Sequence, residues 1–284
     1  MLARLETYAS FVRISHSVFA LPFALVGALL AARLVPFSWM RIVWIMLCMV
    51  AARSAAMGFN RLADAAYDAR NPRTAMREIP KGRMSRVEAG AFVAVSSALF
   101  VLFAAQLGPV CLALSPVALA IVFWYSLAKR FTTYTQAFLG LAMAVAPVGG
   151  WIAAGGPARI EPWLLGLAIG TWVAGFDVLY ACQDVEVDRR EGLHSIPVRF
   201  GVPRSLAISR GLHVVTVVAL AMVGVVAGLG PLYQAGVVAV AVLLVYEQSL
   251  VSADDLSQVK RAFDLNGWVG LLYLASTTLD VYWK

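Results

Sequence analysis

Residues 39–80 read WMRIVWIMLCMVAARSAAMGFNRLADAAYDARNPRTAMREIP, and this stretch decides the fold. Its first part, residues 39–60, is an apolar run long enough to cross a bilayer as a helix, which needs roughly 20 residues. Its second part, residues 59–80, abruptly gathers three acids and four arginines. The pattern predicts a membrane-spanning helix followed by a charged segment, and the charge needs a chemical explanation.

The whole chain has the composition of a polytopic membrane protein. Of its 284 residues, 61% are hydrophobic and only 14% are charged, and the mean hydropathy is +0.78. A water-soluble domain of this length needs far more polar surface. The three cysteines lie scattered in apolar segments, which favours core packing over a metal cluster or disulfides. In such a protein the net charge of +7 indicates topology, and no nucleic-acid partner is expected.

Nine apolar segments are long enough to span a bilayer. The sequence therefore predicts an all-α, polytopic integral membrane bundle of about nine transmembrane helices, forming a single domain over residues 1–284. The segments are long and uniformly apolar rather than alternating, which indicates helices and not barrel strands. The predicted spans lie near residues 16–34, 39–60, 87–107, 109–128, 134–154, 162–183, 205–229, 231–251 and 260–282.

Basic residues are concentrated in the connections on one side of this bundle. The N-terminal arm and the connections after the even-numbered spans carry most of them, whereas the opposite connections hold only Arg33, Arg41 and Arg159, with Lys284 at the end. By the positive-inside rule, the N-terminus and the charged connections are cytoplasmic, and nine spans place the C-terminus outside. We expect an integral protein of a bacterial inner membrane whose charged end faces the cytoplasm.

Two ladders of acidic residues run off the charged ends of apolar spans. Asn60, Asp64 and Asp68 recur at i, i+4 and i+8, so they share one face of a helix, although like charges at that spacing repel. The second ladder, in FDVLYACQDVEVDRREGLHSIPVRFG (residues 176–201), consists of Asp177, Tyr180, Asp184 and Asp188. Solvated helix ends with acids paired to nearby arginines are one interpretation, but two ladders at the same side favour a binding site.

Carboxylate and amide oxygens suit Mg²⁺, which proteins usually hold through one or two carboxylates together with substrate phosphates. The ladders therefore predict a diphosphate bound between them through Mg²⁺ as the cofactor. Direct phosphate contacts would come from nearby cations. These are Arg73, Arg77, Lys81, Lys129 and Arg130.

The segments NRLADAAYD (60–68), RTAMREIPKGRMS (73–85) and YACQDVEVDRREGLHSIPVRFG (180–201) resemble the UbiA superfamily of intramembrane aromatic prenyltransferases, and the resemblance extends over nearly the whole chain. It implies a helical bundle in which Mg²⁺ holds an isoprenyl diphosphate between two motifs, with the prenyl tail in an apolar tunnel open towards lipid. The implied metal-binding positions are Asn60, Asp64, Asp68, Asp184 and Asp188.

Two departures from the family pattern affect the expected acceptor. Arg61 follows Asn60 where many relatives have Asp, and REIP (77–80) stands where many read Arg-Pro. Both resemble the branch associated with menaquinone made by the futalosine route. The resemblance therefore implies 1,4-dihydroxy-6-naphthoate as the aromatic acid, with 4-hydroxybenzoate in ubiquinone biosynthesis as the alternative.

Transfer of a prenyl group requires an allylic cation, which a dry pocket lined by aromatic rings stabilises. Tyr180 is the favoured residue because it shares the face of Asp184. Packing or a position at the membrane interface is the alternative for each aromatic residue. The other aromatic candidates near the charged end are Phe59, Trp124, Tyr125 and Phe176.

Two charges lie inside apolar runs, where each costs about 2.5–3.5 kcal/mol on insertion scales. Arg53 precedes Asn60 by seven residues, roughly 10 Å along the helix, and is expected to hold the acceptor carboxylate or the diphosphate. Asp177 is expected to orient or deprotonate the acceptor phenol. The alternative is that the two charges pair with each other. His16, at the start of the first span, is a further candidate for substrate binding.

Two other functions are compatible with parts of this pattern. A secondary transporter also places charges inside a polytopic bundle, but its sites lie near the midplane rather than at the membrane ends. Within the same fold, the acceptor could be haem, chlorophyllide or glycerol phosphate, although no Cys or His grouping suits haem. The sequence thus predicts a Mg²⁺-dependent polyprenyltransferase acting on an aromatic acid.

Overall fold

The computed structural model describes residues 10, 11 and 20–283 of the chain. Over these residues the protein is all-α, without a strand, as predicted. The helices are α1 Leu21–Ala31, α2 Trp39–Asp68, α3 Arg86–Leu107, α4 Pro109–Ala128, α5 Thr135–Ala153, α6 Glu161–Ala181, α7 Val185–Arg190, α8 Ile196–Phe200, α9 Val202–Val226, α10 Pro231–Ser249 and α11 Val259–Tyr282.

Seven helical stretches in the described residues are long and apolar enough to cross a membrane. They correspond to the second through eighth predicted spans, with α6 and α7 taken together. The first predicted span includes the 11 residues of α1. The ninth corresponds to the 24-residue α11, which is not one of these seven stretches. The membrane bundle agrees with the prediction, while the count of nine spans and their orientation stay predictions.

Helix α6 is the centre of the bundle, since 14 of its 21 residues are buried. It packs chiefly against α5 and α9. The approach to α5 is close because Gly140 faces the Gly170 carbonyl, and a Cβ at Gly140 would overlap that oxygen. Small residues allow such contacts between membrane helices. Helices α3 and α4 lie outside, and Val95, Leu102 and Val117 point away from the protein, as expected for a lipid-facing surface.

The two acidic ladders are built differently. Helix α2 continues to Asp68, beyond the predicted end at residue 60, so the first ladder lies on one regular helix. The second ladder crosses a change of helix type, because α6 ends at Ala181 and a single 3₁₀ turn, Cys182–Asp184, leads into α7. The 3₁₀ geometry rotates successive side chains by a different angle from that of an α-helix. The strict 3.6-residue period predicted for this ladder is therefore interrupted at Asp184.

At the opposite end, charged side chains satisfy the ends of helices. Nη1 of Arg33 donates to the Ala227 carbonyl and Nη1 of Arg41 donates to the Ala154 carbonyl, each at 2.6 Å. The carboxylate of Asp280 accepts from the backbone N–H of Gly230 at 2.7 Å, at the start of α10. Terminal carbonyl and N–H groups have no partner within their own helix, so these bonds stabilise the helix ends.

Candidate active site

The two ladders meet in one cavity of about 140 Å³ at the charged end of the bundle. All five predicted metal-binding residues line this cavity, together with three of the predicted phosphate-binding cations. Segments that are far apart in the sequence therefore meet at this cavity. The lining residues are Asn60, Asp64, Tyr67, Asp68, Asn71, Arg73, Thr74, Arg77, Lys129, Asp184, Val187, Asp188, Glu191 and Leu193.

Asp64 is buried, with 3% of its surface exposed, and two cations from the end of α4 approach it. Nζ of Lys129 lies 2.7 Å from Oδ2, and Nη2 of Arg130 lies 3.4 Å from Oδ1. Arg130 also donates to the Ala63 carbonyl at 2.8 Å. The side-chain amide of Asn60 donates to Oδ2 at 3.4 Å. The predicted first motif and its neighbouring cations therefore form a single cluster.

Asp68, one turn further along α2, is engaged by the loop that follows the helix. Nη1 of Arg77 lies 2.8 and 2.7 Å from the two carboxylate oxygens of Asp68. The hydroxyl of Thr74 donates to the Asp68 carbonyl at 3.2 Å, which fixes the loop at the end of the helix. Asp64 and Asp68 are thus each paired with a basic side chain that was predicted to bind phosphate.

Arg73 joins this loop to the second ladder. Its Nε and Nη2 atoms donate to the two oxygens of Asp184, at 3.1 and 2.6 Å, in the two-point geometry that guanidinium and carboxylate groups favour. Its Nη1 donates to the Tyr180 hydroxyl at 3.0 Å. Burial lowers the pKa of Arg73, but its hydrogen bonds to Asp184, together with the nearby Tyr180 and Asp68, outweigh burial and raise that pKa. Arg73 therefore keeps its positive charge.

The acids are paired with cations, as one interpretation of the sequence anticipated, but the pairs connect different parts of the chain. Asp184 and Arg73 are 111 positions apart, and Asp64 and Lys129 are 65 apart. The pairs therefore hold four segments around a shared polar cavity. A cluster of paired cations and carboxylates can accept a divalent cation and a polyanion together. The divalent cation then binds the carboxylates, and the polyanion binds the basic side chains.

The donor set fits Mg²⁺ in combination with a phosphate ligand. In the part of the chain that the structure describes, no three Asp, Glu, His or Cys side chains are grouped closely enough to hold a metal ion by themselves. Mg²⁺ typically takes only one or two carboxylates and completes its shell with waters and phosphate oxygens. Carboxylates on two sides of the cavity, Asp64 and Asp68 facing Asp184 and Asp188, provide that arrangement.

A second polar group lies deeper in the bundle. Nε of Arg53 is buried without a hydrogen-bond partner among the described residues, and Arg53 interacts electrostatically with Tyr125. The predicted alternative, a pair between Arg53 and Asp177, is wrong, since the ion pairs of the described residues do not include it. A buried guanidinium group needs an anionic partner, and an aromatic acid can supply one.

Several other candidates have positions that the sequence did not reveal. Tyr180 lies beside the cavity, with its ring under Arg73 and packed on Phe263 at 4.7 Å. Lys81 is exposed and does not line the cavity. Trp124 is 54% exposed on the outer face of α4, so it belongs to the outer surface of the protein. His16 lies outside the described residues.

The structure adds three residues that sequence reasoning missed. Nδ2 of Asn71 donates to Asp184 at 3.4 Å, and Glu191 accepts from Arg70 at 2.6 Å, so both strengthen the contact between the two loops. The Tyr67 ring lies 5.6 Å from Nζ of Lys129. Tyr67 follows Asp64 by three residues and could have been found from the helical period. The other two carried no periodic signal.

Comparisons with known proteins agree with this geometry. The family model described as the UbiA prenyltransferase family matches residues 20–273. The 4-hydroxybenzoate octaprenyltransferase of Vibrio parahaemolyticus is 34% identical over 263 residues, which are 89% of this chain and 88% of the relative. The relatives found therefore carry the name of the alternative acceptor rather than the naphthoate that the sequence analysis favoured.

Solved structures share the fold. The apo structure of a UbiA homolog from Aeropyrum pernix K1 has a TM-score of 0.86 and 36% identity, covering 94% of this chain and 98% of that one. The structure of a UbiA homolog from Archaeoglobus fulgidus bound to GPP and Mg²⁺ has a TM-score of 0.75 and covers 97% and 99% of the two chains. At 20% identity, that second likeness bears on the fold alone.

Proposed function

This chain belongs to the UbiA prenyltransferase family, and from that premise we propose that it transfers a polyprenyl group from an isoprenyl diphosphate to 4-hydroxybenzoate in a Mg²⁺-dependent reaction. The observation that carries the proposal is the convergence of both acidic ladders and of Arg73, Arg77 and Lys129 on one cavity. The residues that would hold Mg²⁺ are Asn60, Asp64, Asp68, Asp184 and Asp188.

The cations of the cavity supply the diphosphate-binding chemistry. When a diphosphate enters, Arg73, Arg77 and Lys129 exchange their carboxylate partners for phosphate oxygens. Mg²⁺ held by Asn60, Asp64, Asp68, Asp184 and Asp188 would supply further positive charge against the phosphates. Three further positive charges stabilise the leaving group as the allylic carbon–oxygen bond breaks and its electron pair moves to the diphosphate.

The rest of the reaction takes place deeper in the bundle. The resulting allylic cation lies beside aromatic rings such as Tyr180, which attract positive charge and exclude water. The aromatic acid adds its ring carbon to the cation, forming the carbon–carbon bond, and the ring then loses a proton. Asp177 is the candidate to orient or deprotonate the phenol. Arg53, whose Nε has no hydrogen-bond partner among the described residues, is the candidate to hold the carboxylate.

4-Hydroxybenzoate is the acceptor that the names of the relatives support. The prediction of 1,4-dihydroxy-6-naphthoate rested on Arg61 and the REIP segment. Of these residues only Arg77 lines the cavity, where it contacts Asp68 and is assigned to the diphosphate, so these two features identify no residue that would bind the acceptor.

The proposal is tested with purified protein in lipid vesicles, supplied with Mg²⁺ and geranylgeranyl diphosphate. Equal amounts of 4-hydroxybenzoate and 1,4-dihydroxy-6-naphthoate are offered, and the products are identified by mass spectrometry, with Asp64→Asn as the inactive control. We expect prenylated 4-hydroxybenzoate from the wild type and none from the variant. A product formed only from the naphthoate would contradict the proposed acceptor, and no product from either would contradict the proposed reaction.

A further inference from the structure

The two residues that depart from the family pattern contact each other. Nη1 of Arg61, on α2, lies 3.0 Å from Oε2 of Glu78, in the loop between α2 and α3. Their exposed fractions are only 4% and 7%. Removing one member of a buried ion pair leaves the other charge uncompensated. Each of the two departures therefore accounts for the other.

Glu78 is also the residue at which the loop is attached to its surroundings. Its second carboxylate oxygen, Oε1, accepts from the Ser10 hydroxyl at 2.6 Å. Its carbonyl accepts from the backbone N–H groups of Arg83 and Met84, at 2.9 and 3.3 Å. Glu78 therefore connects the loop to α2, to the N-terminal arm and to the segment that leads into α3.

The residue before Glu78 in the chain is Arg77, which contacts both oxygens of Asp68. Neighbouring residues in a hydrogen-bonded turn cannot move independently, so a fixed Glu78 also fixes the backbone from which Arg77 extends. Arg61 lies on the same helix as Asp64 and Asp68. The pair thus ties the phosphate-binding arginine to the helix that carries the first acidic ladder.

We propose that Arg61 and Glu78 are positioning residues for diphosphate binding, acting through Arg77. The inference rests on the proposed function, since it assumes that Arg77 binds the diphosphate. Neither residue lines the cavity, so neither touches the substrate. Loss of the pair should weaken binding of the prenyl diphosphate and leave the KM for the aromatic acid unchanged.

The test measures Mg²⁺-dependent binding of geranyl diphosphate to the full-length purified protein by calorimetry, without acceptor. For Glu78→Gln we expect Kd to rise about tenfold, the equivalent of about 1.4 kcal/mol. The exchanged pair, Arg61→Glu with Glu78→Arg, should recover most of the lost affinity. Arg159→Ala, which breaks an ion pair between the half-exposed Arg159 and the buried Glu161 at the opposite end, is the matched control and should bind like the wild type.

The outcomes separate the possible failures. An unchanged Kd in Glu78→Gln would overturn the inference, as would an equal rise in KM for both substrates together with a lower melting temperature, which indicates a merely structural role. If Glu78→Gln does not fold, Arg61→Lys is measured instead, because it keeps the charge but loses the forked geometry; a rise of about threefold is expected and no rise overturns the inference. Failure of the wild type to bind geranyl diphosphate would refute the proposed function itself.

Discussion

The two ends of the bundle use their cations in different ways. At the charged end, Arg73, Arg77 and Lys129 contact carboxylates across a cavity. At the opposite end, Arg33 and Arg41 donate to carbonyls that terminate helices. A terminal carbonyl needs a permanent partner, whereas a carboxylate can exchange its cation for a metal ion. The comparison indicates that exchangeable partners, rather than charge alone, distinguish the functional end.

Buried aspartates show the same contrast. Asp64 and Asp280 are both 3% exposed. Asp64 contacts the side chains of Lys129 and Arg130, both from the segment that follows α4. Asp280 accepts from the backbone N–H groups of Gly230 and Tyr233 at the start of α10. We propose that the carboxylate of Asp64 is released to bind metal, whereas that of Asp280 holds a helix end.

Replacing these two aspartates should give the largest difference between the ends. For Asp64→Asn we expect kcat/KM to fall about 10³-fold, because a carboxylate that would hold Mg²⁺ against the leaving diphosphate is lost. For Asp280→Asn we expect normal kinetics and a loss of about 1 kcal/mol in stability, because an ionised acceptor for the N–H groups at the start of α10 is lost, an effect similar to the loss of a side-chain cap. Steady-state prenylation rates and thermal melting in detergent measure the two effects. Equal loss of activity in both variants would contradict the contrast.

The arginines should show a smaller difference in the same direction. Arg77→Ala removes a charged hydrogen-bond donor worth about 2 kcal/mol, so a rise of about 30-fold in the KM for the diphosphate is expected. Arg41→Ala, the matched change at the opposite end, should lower the melting temperature without altering that KM. A changed KM in Arg41→Ala alone would reverse the assignment of the two ends.

Arg53→Ala tests whether the acceptor binds in the bundle interior, below the charged end. We expect the KM for 4-hydroxybenzoate to rise about tenfold while the KM for the diphosphate stays constant, since a charged hydrogen bond to the acceptor carboxylate is lost. The measurement varies each substrate at a saturating concentration of the other. An unchanged KM for the acceptor and unchanged turnover would remove Arg53 from the acceptor site.

The smallest effect is expected for Tyr180→Phe. This change removes the hydroxyl that accepts from Arg73 at 3.0 Å but keeps the ring beneath the guanidinium group. One neutral hydrogen-bond partner contributes about 0.5–1.5 kcal/mol, so kcat/KM should fall about threefold. Tyr180→Ala, which also removes the ring, should cost clearly more. Equal losses in the two variants would argue against a role for the ring in stabilising the cation.

Much of the fold follows from hydropathy, because long apolar segments have few alternatives to membrane helices. The first ladder was predictable for a similar reason: Asn60, Asp64 and Asp68 lie on one regular helix, where spacing determines the shared face. The second ladder was less certain, since the 3₁₀ turn at Cys182–Asp184 interrupts the period. Local spacing gives no warning of such a turn.

Contacts between segments that are distant in the chain could not be predicted from the sequence. Arg73 was predicted to bind phosphate, but its contact with Asp184 depends on how a loop folds back over α6. Lys81 belongs to the same basic loop and yet is exposed, because the loop turns at residues 77–82. Trp124 was a candidate for the pocket, together with the adjacent Tyr125. Successive side chains on a helix point about 100° apart, and Trp124 points to the outer face.

The central claim is that the charged end binds a prenyl diphosphate through Mg²⁺ by exchanging ion-pair partners. The most direct measurement is a titration of geranylgeranyl diphosphate into the reconstituted protein, with and without Mg²⁺, for the wild type and for Asp64→Asn and Asp280→Asn. We predict Mg²⁺-dependent binding in the wild type and in Asp280→Asn, and its loss in Asp64→Asn. Binding that is independent of Mg²⁺, or that is equal in all three proteins, would contradict the claim.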